Sequence, residues 1–306
     1  GRDGNACTTG DTCGGGSCQP GTGTLDCNDN NACTDDSCVP ATGCAHANNA
    51  NPCNDGNVCT VSDFCSNGAC VGSPATVVTP ANMNGWTFVD DTTDGPGTGT
   101  LVTGPGTPPL RTGSVRLALT SSATDRQMVG TFAHGGTRLA NITKLQYETY
   151  RSSLNVGDFL GGMLQFDVDY NLTDADTSYQ GRLVFEPQYN ALPGGVPQNT
   201  WQTWNGLTGM WWSSRAPFNA VCSQASRCTW AQVLAAWPDA GIHADIAGSG
   251  IPGRLLLRAG PSPDFDGNAD GVIVGVSGVN TTYDFEPAST TDACDDGNAC
   301  TLGDSC

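Results

Sequence analysis

A chain of 306 residues with 16 cysteines, 41 glycines and a formal net charge of −18 is ill suited to nucleic acid, because only 12 Lys and Arg side chains are present to meet phosphates. Cysteine at this density persists as disulfides only in an oxidising compartment, so the expected setting is extracellular or cell surface, with cations, sugars or protein surfaces as partners. No apolar run reaches the roughly 18 residues of a spanning helix, so no membrane insertion is expected; the chain opens without Met or a signal-peptide core, as a mature form or a fragment would.

Residues 1–72 read as a cysteine-rich arm. Eleven of the sixteen cysteines fall before residue 71. CNDGNVCTVSDFCSNGAC (Cys53 to Cys70) aligns with GRDGNACTTGDTCGGGSC (Gly1 to Cys18) in the frame C-x-D-G-N-x-C-T-x-x-D-x-C-x4-C. A second form, CNDNNACTDDSCVPATGC (Cys27 to Cys44), shortens one gap and lengthens the last. Units this short and polar bury no core of their own, so disulfides must supply the order, each contributing roughly 3 kcal/mol for a loop near 15 residues. Four cysteines allow three connectivities, and spacing does not choose among them. The C-x5-C gaps, the lack of C-x2-C pairs and the acidic surroundings argue against zinc, and D-G-N reads as Asx-turn chemistry.

From residue 73 to 292 the texture is that of short alternating segments separated by Gly, Pro, Asn and Asp, the pattern of antiparallel strands. GSVRLALT places Val115, Leu117 and Leu119 on one face, and GGMLQFDVDY does the same with Leu164, Phe166 and Val168. GRLLLRAG, GVIVGVSG and TTYDFEP read similarly. TWAQVLAAWPDA, Thr229 to Ala240, is the one helix, with a Thr cap and Val233, Leu234 and Trp237 at helical spacing. Cys222 and Cys228 read as a local staple. The expected architecture is mainly β: a jelly-roll-like antiparallel β-sandwich with one short helix, flanked by disulfide-rich irregular modules.

Residues 293–306 form a partial module, CDDGNACTLGDSC, in which Cys294, Cys300 and Cys306 lack the fourth cysteine. The opening module lacks the first, since Gly1 stands there, and keeps Cys7, Cys13 and Cys18. If pairs close locally, each end carries an odd cysteine, and the two deficits complement one another across copies of the chain.

The cysteine frame resembles tandem C-x-D-G-N-x-C-T repeats of secreted and surface proteins of environmental bacteria, and more loosely the cysteine-rich repeats of amoebal extracellular-matrix proteins. The centre, through NGWTF, VTGPGTPPL, LVFEPQY, TWQTWNGLTGMWW and TTYDFEP, looks like a secreted bacterial jelly-roll domain. These resemblances imply a repetitive extracellular architecture and bring no catalytic residue.

Several constellations could carry chemistry. DFDGNADG presents Asp264, Asp266, Asn268 and Asp270 in the first half of an EF-hand-like calcium loop, although Ser277 replaces its bidentate Glu. DVDYNLTDAD offers a second candidate with Asp167, Asp169, Asn171, Asp174 and Asp176. Asn141, Asn171 and Asn280 open glycosylation sequons. Trp201 and Trp204 are candidates for a sugar-stacking platform, whereas alternation sends Trp211 and Trp212 to opposite faces. Hydrolysis needs paired carboxylates. Glu148, Glu186 and Glu286 are the only glutamates, two of them in F-E-P corners, and His46, His134 and His243 stand apart, so no enzyme is expected. The leading reading is an extracellular structural protein that joins copies of itself head to tail through its arms; the alternative is a carbohydrate-binding or adhesin-like module on a disulfide-rich stalk.

Overall fold

The computed structural model describes residues 3–57, 60–89, 95–122, 124–152, 162–191, 195–244 and 253–287. Among these the chain divides into two compact units between Pro74 and Ala75. The partial module at 293–306, with Cys294, Cys300 and Cys306, lies outside the described residues, as does Cys59.

The arm is a succession of small hairpins. β1 (Thr8–Thr9) pairs with β4 (Gly23–Thr24), and β2 (Thr12–Gly14) with β3 (Ser17–Gln19). β5 (Thr34–Val39) pairs with β6 (Gly43–Asn48), and β7 (Thr60–Ser66) with β8 (Ala69–Val78). The repeated D-x-N-x-C-T string builds the turn before each hairpin. In the second module the Asp29 carboxylate accepts the Asn31 N–H at 2.8 Å and the Thr34 hydroxyl at 2.9 Å. Asp55 accepts from Asn57 at 2.8 Å and Thr60 at 3.0 Å in the third. A second Asp, just before the third cysteine, accepts the N–H of the first: Asp36 from Asp29 and Asp63 from Asp55, each at 3.0 Å. Such side-chain acceptors replace the absent core by fixing local backbone. The only buried apolar side chains among the arm's described residues are Cys33 and Cys65.

The second unit is a two-sheet sandwich. Its strands are β9 (Trp86–Val89), β10 (Gly95–Pro96), β11 (Thr98–Thr103), β12 (Gly113–Ala118), β13 (Asp125–Thr131), β14 (Ile142–Arg151), β15 (Met163–Asp169), β16 (Arg182–Phe185), β17 (Trp201–Asn205), β18 (Met210–Ser213), β19 (Cys228–Thr229), β20 (Gly241–Ile242), β21 (Leu255–Ala259), β22 (Asp266–Val276) and β23 (Val279–Phe285). One sheet runs β10-β13-β21-β15-β16-β18-β19, with β9 on β13 and β20 on β15. In the other, β22 pairs with β14 along one edge and with β12 and then β23 along the other; β11 and β17 extend it. The sandwich is mostly antiparallel, yet β10 meets β13 and β23 meets the end of β8 in parallel, a feature the alternation pattern does not encode.

Period-two alternation decides which side chains enter the core. Val115, Leu117, Leu164, Phe166 and Val168 all belong to the single buried cluster, with Trp86, Tyr147, Trp211 and Phe285. The helix α1 (Trp230–Ala236) starts from a capping box, in which the Thr229 side chain accepts the Gln232 N–H and Gln232 answers on the Thr229 N–H. Val233 is fully buried, and Leu234 and Trp237 pack on the core at its edge.

Candidate functional site

The disulfides of the arm follow a rule. First and fourth cysteines pair within a module: Cys27 with Cys44, and Cys53 with Cys70. Second cysteines reach forward to the third cysteine of the next module: Cys7 to Cys38, and Cys33 to Cys65. The pairing is therefore not closed within modules, and Cys7 is occupied inside the arm instead of being available for assembly. Cys13 and Cys18 are unbonded, with Cys13 exposed. They face each other across β2 and β3, the third and fourth positions of their module. Cys222 and Cys228 of the sandwich are bonded to each other over 6 residues. Sulfurs of Cys33, Cys53 and Cys70 cluster, but all three belong to disulfides and hold no thiolate for a metal.

The first calcium candidate is a strand instead of a loop. Asp266, Asn268 and Asp270 lie along β22, and separate partners take them. Asp266 forms a two-pronged pair with Arg116 at 2.8 and 2.7 Å, and Asn268 donates to Ser114 Oγ at 2.9 Å. Asp270, fully buried, accepts the N–H groups of Leu110 and Phe285. Asp264 sits in the preceding turn with φ at 58° and donates its N–H to Thr120 O. The apolar alternation of GVIVGV continues back through the acidic stretch as sheet pairing, which spreads these oxygens along a strand in place of converging them. The second candidate separates likewise. Asp167 is buried at the centre of a triad with Arg182 at 3.0 Å and Arg254 at 3.1 Å. Asp169, Asn171, Asp174 and Asp176 each accept a backbone N–H two residues on, a chain of Asx turns.

Neither tryptophan proposed as a sugar platform presents one. Trp204 is buried in the core and donates to Thr149 Oγ1 at 2.7 Å; Trp201, half-buried, donates to Pro105 O at 2.9 Å and leans on Tyr150. Asn141 and Asn280 are exposed, and Asn171 is half-buried. His46 does not stand apart: its Nδ1 lies 2.7 Å from Asp36 and 3.4 Å from Asp29, and the hydrogen bond to Asp36 raises its pKa. His134 is buried against Tyr283 at 2.9 Å, and burial lowers its pKa. Glu286 accepts from Thr112 N and Gly113 N at 3.1 and 2.9 Å, tying a corner.

Glu186 behaves differently. It lines a pocket of about 350 Å³ on the outer face of the first sheet, with burial raising its pKa. Registers show how that face is assembled. One cross-strand row is Gly130, Leu256, Gln165, Val184 and Trp212, and a second is Met128, Arg258 and Met163. Arg126, Tyr179, Arg182, Ser214 and Gln224 complete the walls. Gln165 is 1% exposed, and its carbonyl oxygen meets no hydrogen-bond donor. A second pocket, of about 360 Å³, gathers Tyr170, Phe218 and Trp237 with Asp174, Asp176 and Asp239. Sequence reasoning missed both pockets. The alternation that sends Trp211 inward and Trp212 outward was the available signal for the first.

Among known proteins, the family model described as a Dictyostelium (slime mold) repeat matches residues 26–48, 52–74 and 293–306. No curated protein sequence matches the chain. A solved structure, the family 11 carbohydrate-binding module from Clostridium thermocellum in complex with a β-1,3-1,4-mixed-linked tetrasaccharide, is similar at 9% identity, covering 63% of this chain and 90% of that one, with a TM-score of 0.32. No helix among the described residues is long and apolar enough to cross a membrane.

Proposed function

We propose that this is an extracellular structural protein in which a laddered, disulfide-linked arm carries the β-sandwich and joins copies of the chain head to tail. The observation that carries the reading is the pairing rule, one-to-four within a module and two-to-three onward to the next. By that rule Cys13, a third-position cysteine, takes the second-position cysteine of a preceding module, whereas Cys18 lacks its within-module partner because Gly1 stands in the first position. Cys300 holds that second position in the repeat at 293–306. Each new bond forms when two thiols lose two protons and two electrons to a low-molecular-mass disulfide, which is reduced to two thiols.

The test is a non-reducing gel and peptide map of the chain folded in a glutathione redox buffer. Multimers that vanish on reduction and in Cys13→Ser, with a Cys13 cross-link to another copy, are expected. Monomers in which Cys13 is bonded to Cys18 would overturn the proposal. A second reading, a saccharide-binding module on a stalk, is favoured by the pocket of about 350 Å³ on the sandwich, whose lining joins Trp212 to polar side chains.

A further inference from the structure

We infer that Asp29, Asp36 and His46 of the second arm module form a binding site for a divalent transition-metal ion of the zinc class. The three side chains come from separate segments: Asp29 from the turn after Cys27, Asp36 from β5, and His46 from β6, directly opposite Asp36 in the hairpin register. One ligand atom from each lies within 4.8 Å of the other two, and all three residues are exposed, so an ion reaches them from solvent.

The backbone arranges this convergence. The Asn31 N–H donates to Asp29 Oδ1 at 2.8 Å, and the Asp29 N–H donates to Asp36 Oδ2 at 3.0 Å. Each carboxylate is thereby held by one oxygen and turns the other toward the imidazole: Asp36 Oδ1 lies 2.7 Å and Asp29 Oδ2 3.4 Å from His46 Nδ1. Hydrogen bonds of this kind orient ligating carboxylates in metal sites. Ligand atoms of a tetrahedral zinc site, with bonds of about 2.0 Å, stand about 3.3 Å apart. The longer separation already fits, and the shorter one has to widen by about 0.5 Å. The bonds the three groups now make to one another are the ones the ion replaces. Because a carboxylate only accepts, Nδ1 carries the proton between the two acids; an entering cation displaces that proton to water and meets the same three lone pairs, while Nε2 keeps its own hydrogen. Two carboxylates neutralise a divalent charge. The nitrogen donor favours a zinc-like ion over calcium or magnesium, which take oxygen ligands.

The module does not need this histidine in order to fold. An aspartate stands two places before the third cysteine in each arm module, as Asp11, Asp36 and Asp63, whereas two places after the fourth stand Pro20, His46 and Gly72. In the first module the Gly21 N–H donates to Asp11 Oδ1 at 2.9 Å. In the third, a Cβ on Gly72 would stand 2.2 Å from Asp63 Oδ1, so backbone fills the place and no side chain fits. The same turn therefore closes twice without an imidazole, and among the three arm modules only the second sets a nitrogen ligand against its acid pair.

Titration calorimetry with zinc chloride on the oxidised chain, its remaining thiols alkylated so that no thiolate competes, tests the site. Zinc is expected to saturate one site below about 1 mM, and calcium chloride to bind at least about tenfold more weakly. In proton NMR the ring resonances of His46 should shift as zinc is added, while those of the buried His134 and His243 stay in place. His46→Gln keeps an N–H donor for Asp36, so it should hold the melting temperature while weakening zinc at least about tenfold. A histidine that served only the hairpin would leave zinc binding as it was. No saturable binding below about 1 mM, zinc shifts that spare His46, or unchanged binding in His46→Gln overturns the site. Calcium binding as tight as zinc overturns the transition-metal class.

Discussion

Cys38 and Cys44 face each other across the hairpin of β5 and β6, yet neither is bonded to the other: Cys38 joins Cys7 and Cys44 joins Cys27. Cys65 and Cys70 repeat the relationship. Bonding across the hairpin would close only a short loop. The bonds that form span 17 to 32 residues and remove more freedom from the unfolded chain. They also chain the modules together, a property local closure would lack.

It follows that the bond between modules matters more than its burial suggests. The double variant Cys33→Ser, Cys65→Ser opens a loop of 32 residues, and the chain-entropy relation puts the loss at about 4 kcal/mol. Limited proteolysis should cut the arm between residues 44 and 53 in the variant and spare the oxidised parent. Equal resistance of both would show that the remaining disulfides and the Asx turns hold the arm without this bond.

The arm was half legible in the sequence. The repeat frame announced disulfides and turns, and the D-x-N-x-C-T string encodes its own hydrogen bonds, as at Asp29, Asn31 and Thr34. Connectivity was hidden, because which sulfur reaches which depends on how successive hairpins stack, and spacing along the chain does not record that. In the sandwich, alternation identified Leu164 and Phe166 as core correctly, since period two is a local property. It also invited a loop where Asp266 to Asp270 extend a strand. There the partners that decide the matter, Arg116, Ser114 and Phe285, come from distant segments. The pocket was illegible for the same reason: Arg258, Gln165 and Trp212 meet only through strand order.

The buried acids beneath β22 and β23 set a pH dependence. Burial pushes Asp284 up to about 7, opposed by the guanidinium of Arg111 and reinforced by Glu286. Burial, then the neighbouring Asp284, also raises Asp270 well above the usual carboxylate range. An acid whose pKa is raised on folding binds more protons folded than unfolded, so stability falls as pH rises from the unfolded value near 4 through about 7. Asp284→Asn mimics the protonated form. It should raise the melting temperature at pH 8 by several degrees, about 2–4 °C per kcal/mol, and change it little at pH 4. A gain as large at pH 4 would contradict the assignment.

Asp167 answers two guanidiniums from opposite sides, Arg182 at 3.0 Å and Arg254 at 3.1 Å, with its carboxylate fully buried. Asp167→Asn keeps the shape and removes the charge, leaving two cations crowded without their shared anion. The expected loss is about 3–5 kcal/mol, the size seen on breaking buried ion pairs from one side. Urea denaturation measures it, and a loss under about 1 kcal/mol would mean that water replaces the carboxylate.

Trp204 and Thr149 supply the sharpest contrast between a stacking platform and a core contact. Their hydrogen bond, 2.7 Å long, joins two side chains that are both buried. Trp204→Phe removes the indole N–H and leaves the hydroxyl of Thr149 without its donor, at an expected cost of about 1–3 kcal/mol. Thr149→Val strands the indole instead, at similar cost. Because each single change leaves an orphan that the other removes, the double variant should be less destabilised than the sum by about 1 kcal/mol or more. Saccharide affinity should stay unchanged throughout, since the pair lies inside the sandwich core. Additive losses in the double variant, or a fall in sugar binding that tracks Trp204, would return this tryptophan to the surface role its sequence neighbourhood suggested.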